Sequence, residues 1–283
     1  MALASALGAG ASMAAAQPTS DAAVFMAMAR EATARFQQQS VAVAAGYRPV
    51  GPDSPGMGQH YVQPELVFAA RLDAARPAIL TYIQVQGRPV LAGVAYALPA
   101  RGSNDLPEWP VGREAWHFHG GTVDEEAFLP THAHADPQAS RDMSMAVLHL
   151  WLGVPNPESA WAADNWALPF ARVGIATARA PSVPAANALS LVTVGEAFHV
   201  RAMRLRIRPD SASERALAPI VARSAGAVRA WLDARGTATV SAAELDWLAG
   251  RWAELWHEVH GAVSAVAWQR LAPLRGGLSA MLH

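Results

Sequence analysis

The sequence predicts an α+β protein: an antiparallel β-rich sheet or small barrel with an N-terminal helix and a C-terminal helical region packed on it. Three observations predict it. Runs rich in β-branched residues concentrate between residues 78 and 152, apolar residues recur at helical spacing beyond Pro181, and Pro/Gly clusters punctuate the stretches between. With 52% hydrophobic and 16% charged residues in 283, the chain has the apolar material for a sizeable core.

Taken in order, Met1–Ala16 is small and apolar and ends in Met13-Ala14-Ala15-Ala16 before Gln17, the pattern of a cleaved signal peptide. A periplasmic or secreted location is therefore expected, although the first basic residue is only Arg30. Ser20 and Asp21 can cap a helix carrying Val24, Phe25, Met28, Ala32 and Phe36, with Gly46 as its stop. From Arg48 to Gly58, Pro49, Gly51, Pro52, Pro55, Gly56 and Gly58 exclude helix and central strand, so a structured loop is expected.

Ala78–Gln86 and Pro89–Leu98 read as strands joined across Gly87-Arg88, a hairpin signal, and Trp116–Val123 and Met143–Leu152 read as two more. Ala185–Arg206, Ser213–Ala234 and Ala242–Leu271 follow the helical period, separated by Pro209-Asp210 and Gly236. Trp247, Trp252 and Trp256 lie on the last of these as a packing stripe. The expected division is a signal peptide over 1–16, a helix plus β-rich metal-site domain over 17–177, and a helical C-terminal region over 178–283.

Composition excludes several functions. A net charge of −1 gives no field for nucleic acid, and Arg201, Arg204, Arg206 and Arg208 read as favourable charge at a helix C-terminus before Pro209. Beyond the leader, no apolar run approaches the roughly 20 residues of a membrane-spanning helix. The absence of cysteine removes disulfides, thiolate metal sites and cysteine nucleophiles, and no Gly-x-Ser-x-Gly elbow appears.

The densest chemical text is Trp116-His117-Phe118-His119, followed by Asp124-Glu125-Glu126 and His132-Ala133-His134. On a strand His117 and His119 share a face, so two imidazoles can chelate one ion, with Glu125 or Glu126 returning across a turn to join them. His149 lies on an apolar strand on the face of Met145, Val147 and Trp151, where a polar ring needs a partner. His60 follows Gly56-Met57-Gly58, where the backbone can pass close to something, and Tyr61 beside it can donate a proton. His132 and His134, closed by Asp136-Pro137, read as loop residues.

The expected site is thus a mononuclear transition-metal centre (Zn, Cu, Fe or Mn) held by His60, His117, His119, His149 and Glu126, with Glu125 and Tyr61 as catalytic candidates. The Pro/Gly segment 48–58 would open it to a small-molecule substrate, and hydrolase and oxidoreductase chemistry both fit. Two other readings stay open. Glu196-x-x-His199 and Glu254-x-x-His257 have the spacing of helical di-metal sites, with Glu31, Glu214 and Glu244 available to complete one. Alternatively, the protein is an exported binding or structural module without metal, its histidines lining a polar cleft.

The order His117-x-His119, Glu125, His149 resembles the metal set of cupins, in which two motifs on barrel strands bring three His and one Glu to one ion; five residues separate His119 from Glu125 here. The segments Gly56-Met57-Gly58-Gln59-His60-Tyr61, Leu91–Tyr96 and His149-Leu150-Trp151, with Asn156-Pro157 and Ala162-Ala163-Asp164-Asn165, resemble a group of exported bacterial proteins of unknown function. That resemblance covers about residues 46–170 and implies no activity. In such proteins the middle strand reads Val-Glu-Tyr; Ala95 stands at the acid's position here, which implies that Glu125 or Glu126 takes its place.

Overall fold

The computed structural model describes residues 20–119, 144–236 and 238–276. The expected signal peptide and Glu125, Glu126, His132 and His134 lie outside the described residues. The fold is α+β, with one curled antiparallel sheet forming a half-barrel, an N-terminal helical layer and a C-terminal set of helices.

Helix α1 spans Ser20–Thr33 and buries Phe25 and Ala29. The expected single helix to Gly46 is broken: Ala34–Gln37 tightens into a 3-10 turn, Gln38 is extended, and α2 runs over Gln39–Ala44. The break releases the Phe36 carbonyl from the helical ladder, where it accepts the Tyr82 hydroxyl at 2.6 Å, while the Phe36 ring packs on Tyr47 at 5.3 Å. Gly46, at φ 100°, ends α2 as expected.

A strand lies where the sequence predicts loop, and a second begins at that loop's last residue. β1 (Arg48–Ser54) and β2 (Gly58–Val62) pair antiparallel, with a register shift between Val50 and Ser54. Pro49 and Pro52 are tolerated because β1 is an edge strand, whose outer side has no ladder to complete. Gly58 sits at φ +71°, and a Cβ there would lie 2.7 Å from the Tyr82 carbonyl oxygen, so only glycine lets the turn pass this close to β3.

β3 (Ile79–Val85) and β4 (Arg88–Ala100) form the expected hairpin, turning one residue earlier, at Gln86-Gly87. Both turn residues have positive φ, 49° and 78°, the geometry that suits strand twist in a two-residue turn. β5 (His117–His119) and β6 (Ser144–Trp151) complete the order β1-β2-β3-β4-β6-β5, with β6 between β4 and β5. Short α3 (Pro64–Phe68) lies between β2 and β3.

Residue alternation assigns two faces. Tyr82 and Tyr96 face the N-terminal layer, where Tyr96 packs on Phe25 at 5.1 Å and donates to the Ala74 carbonyl at 2.9 Å. The odd-numbered residues of β3 and β6, and those of β4 from Gly93 onward, among them Ala95, Ala97, Val147 and His149, form the inner face of the curl; a bulge opposite Thr81 and Tyr82 reverses the alternation of β4 before Gly93.

The C-terminal helices are α4 (Leu168–Arg172), α5 (Val183–Thr193), α6 (Glu196–Ile207), α7 (Ser211–Arg235), α8 (Ala242–Ala262), α9 (Ala265–Arg270) and α10 (Ala272–Arg275). The expected helix Ala185–Arg206 is interrupted by Gly195 at φ 111°. Ser241 and Glu244 form a reciprocal capping box that starts α8, and Trp252 and Trp256 are buried in the helical core. Met57, Trp166 and Phe170 pack into that same core, so the β1–β2 turn and α4 share it with the helices. Arg172 on α4 is buried and grips Asp53 of β1 through two hydrogen bonds of 2.8 and 2.5 Å. Among the described residues, no helix is long and apolar enough to cross a membrane.

Candidate functional site

Three of the expected ligands, from three strands, come together on the inner face. The ring of His149 lies 5.1 Å from that of His117 and 5.7 Å from that of His60 between centroids. His149 and His117 are 1% and 6% exposed, and His60 is half-buried. The His60–His149 approach depends on curvature: β2 and β6 are separated by β3 and β4, a span of about 14 Å on a flat sheet. Curling brings the rings inward over a floor of small residues, since Ala95 lies directly opposite His149 and Gly93 directly opposite Thr81. A Cβ on Gly93 would stand 2.9 Å from Trp151, whose ring stacks on His149 at 5.7 Å and 28°.

Two imidazoles on one tetrahedral ion have ring centres about 5.3 Å apart, from a metal–nitrogen bond of about 2.1 Å. The ring spacing matches that value. The donor atoms are arranged less tightly, because among the described residues no group of three or more His, Cys, Asp or Glu stands ready to hold an ion. Shared binding therefore requires the rings to turn about their side-chain torsions. The three rings could offer nitrogen donors to a cation, on an inner face with no carboxylate among the described strand residues.

His60 Nε2 is buried and finds no hydrogen-bond partner among the described residues, and burial lowers the pKa of this histidine from its ordinary value to about 4. The ring is neutral at physiological pH and available as an acceptor or ligand. Ser54 Oγ and Thr81 Oγ1 are likewise buried without a partner among the described residues. Thr81 lies directly opposite His60, and Ser54 and His60 line a cavity of about 230 Å³ whose walls include Met57, Ile79, Ala97 and Val147. Sequence reasoning missed Ser54 and Thr81. Thr81 carried a faint signal as the polar position in Ile79-Leu80-Thr81-Tyr82-Ile83, whereas Ser54 was hidden in text that reads as loop.

The other expected residues fall elsewhere. Tyr61 follows His60 on β2 and so faces the opposite side, where its ring packs on Tyr82 at 5.1 Å; the strand's alternation removes it from the site. The His119 backbone pairs with Met145 on the inner-face register, and Glu125 and Glu126 lie outside the described residues. The two Glu-x-x-His pairs do not meet. His199 is fully buried, with Nε2 2.9 Å from Ser190 Oγ and Nδ1 3.0 Å from the Gly195 carbonyl oxygen, so both nitrogens are occupied. Glu196 pairs with Arg229, while Glu254 and His257 are exposed, with Glu254 against Arg251. Of the residues available to complete a four-glutamate site, Glu31 is exposed, and Glu244 belongs to the α8 cap.

Compared with protein-family models, curated proteins and solved structures, the chain finds no match.

Proposed function

We propose that the protein is an exported transition-metal-binding protein, with His60, His117 and His149 as nitrogen ligands of a mononuclear site on the inner face of the sheet. One observation carries the reading: the rings of His60 on β2 and His117 on β5 lie 5.7 and 5.1 Å from that of His149 on β6, although these residues are 57 and 32 positions apart along the chain from His60 to His117 and from His117 to His149. Burial of His60 favours its neutral, ligating form. Glu125 or Glu126 is the proposed anionic ligand, and His119 a further nitrogen donor. Such an ion supplies Lewis acidity or redox chemistry, according to its identity. The residues around it orient the ligands: Trp151 stacks on His149, and Ala95 leaves the floor open.

A second reading, a binding module without metal, draws support from the lack of a ready three-donor group among the described residues. Metal analysis of protein prepared without a His tag separates the two. The metal reading expects close to one equivalent of ion, lost on substituting His117 and His149 by Ala and retained on substituting His199 and His257. Absence of bound metal after incubation with Zn, Cu, Fe and Mn salts, or retention in the His60→Ala/His117→Ala/His149→Ala variant, overturns it.

A further inference from the structure

We infer that the groove between α6 and α7 is a binding site for a compact soluble anion of two or three linked phosphate groups. The inference goes beyond the metal reading and does not depend on an ion being held. α6 packs on α7, and the groove beside their contact measures about 670 Å³, within the size range of small-molecule sites. Arg201, Arg204 and Arg208 line it, and Glu196 is the only carboxylate among the described residues that do. Glu196 is already paired with Arg229 of α7 at 3.3 Å, so the groove carries a surplus of positive charge.

Helix geometry gathers the three arginines on one face. They stand at i, i+3 and i+7, and at a rise of about 1.5 Å per residue the row extends about 10 Å. Favourable charge at the α6 C-terminus accounts for Arg204 and Arg206, which lie in its last turn, but not for Arg201 in the turn before, where that effect has faded. Arg204 is half-buried, and its Nε donates to the Glu214 carbonyl at 3.4 Å, which ties the guanidinium to α7. Arg201 and Arg208 are exposed; each also engages another group, and the five N–H donors of a guanidinium let it serve a second acceptor. Guanidinium forks match phosphate oxygens bidentately, so a row of three suits linked phosphates better than a single carboxylate. A net charge of −1 supplies no wider field for a nucleic-acid strand. Among the described residues, none of the large apolar side chains that are exposed lines the groove, as docking on a lipid surface would require.

The test is isothermal titration calorimetry of the full chain, stripped of metal, with inorganic triphosphate and with monophosphate. Triphosphate is expected to bind at least about ten-fold more tightly than monophosphate, and more weakly as salt rises. Arg201→Gln and Arg204→Gln should each lower its affinity about ten-fold, whereas Arg223→Gln, an exposed arginine of α7 outside the groove, should leave it within about two-fold. Ala197→Glu, at an exposed position of the lining, adds a carboxylate without removing an arginine and should also weaken binding, which keeps the test decisive if circular dichroism shows that an arginine variant has lost its fold. Absence of triphosphate binding, equal affinity for monophosphate, an equal loss in Arg223→Gln, or undiminished binding in Ala197→Glu overturns the inference. So does binding to phosphatidylglycerol vesicles that triphosphate does not displace, which assigns the groove to a membrane surface. His117→Ala/His149→Ala should bind triphosphate as the wild type does, so the phosphate and metal readings can fail separately.

Discussion

Replacing Asp53 by Ala tests how the site is held to the rest of the molecule. Arg172 keeps only 2% of its side chain exposed and Asp53 keeps 30%, and the pair joins β1 to α4 across 119 residues of chain. Removing one partner of a fully buried ion pair costs about 3–5 kcal/mol, because the other charge is left desolvated. Water reaches Asp53 in part, so the stranded guanidinium is partly rehydrated and the expected cost drops to about 2–3 kcal/mol. For a chain of this size that lowers Tm by roughly 3–5 °C in a thermal melt followed by circular dichroism. Asp53→Ala/Arg172→Met removes both charges and is expected to recover most of the loss, since an apolar side chain suits the buried position better than an unpaired cation. A Tm drop below about 1 °C in the single variant, or a double variant no more stable than the single, refutes the reasoning.

Further expectations follow from the same geometry. The pKa of His199 is lowered to about 4, chiefly by burial, against an ordinary value of 6.5, so the unfolded chain binds this proton more readily than the folded one. The contribution is therefore fully present above pH 6.5 and is lost as pH falls toward 4, amounting to roughly 3 kcal/mol; urea titrations across that range should show the loss, and His199→Gln should flatten it. Gly58→Ala, which forces a Cβ to within 2.7 Å of the Tyr82 carbonyl oxygen at φ +71°, should cost about 2–4 kcal/mol in denaturant unfolding, and a wild-type midpoint would contradict the close approach. If the proposed metal site forms, Zn at a hundred times its Kd should stabilise the wild type by about 2.7 kcal/mol and leave His117→Ala/His149→Ala unmoved. Tyr61→Phe should leave metal content unchanged and shift stability by under about 1 kcal/mol, because its ring faces Tyr82 on the other side of the sheet.

The sequence by itself determined the class of fold, because class follows from periodicity, and periodicity is local. The alternation of Ile79–Val85 and Ser144–Trp151, the turn glycine between β3 and β4, and the 3.6-residue spacing of the C-terminal helices are all visible without knowing any partner. Alternation also assigned His149 to the face of Val147 and Trp151. The same rule, applied to His60 and Tyr61, would have separated them had β2 been recognised; Pro and Gly on either side hid both it and β1, since local propensity does not reveal that an edge strand tolerates proline. Only the tertiary structure decided that His60 meets His149, that Arg172 closes on Asp53, and that Ser54 opens onto a cavity. Those contacts depend on how far the sheet curls and on which small residues lie beneath the rings, and both are properties of strands packed together that no single segment encodes.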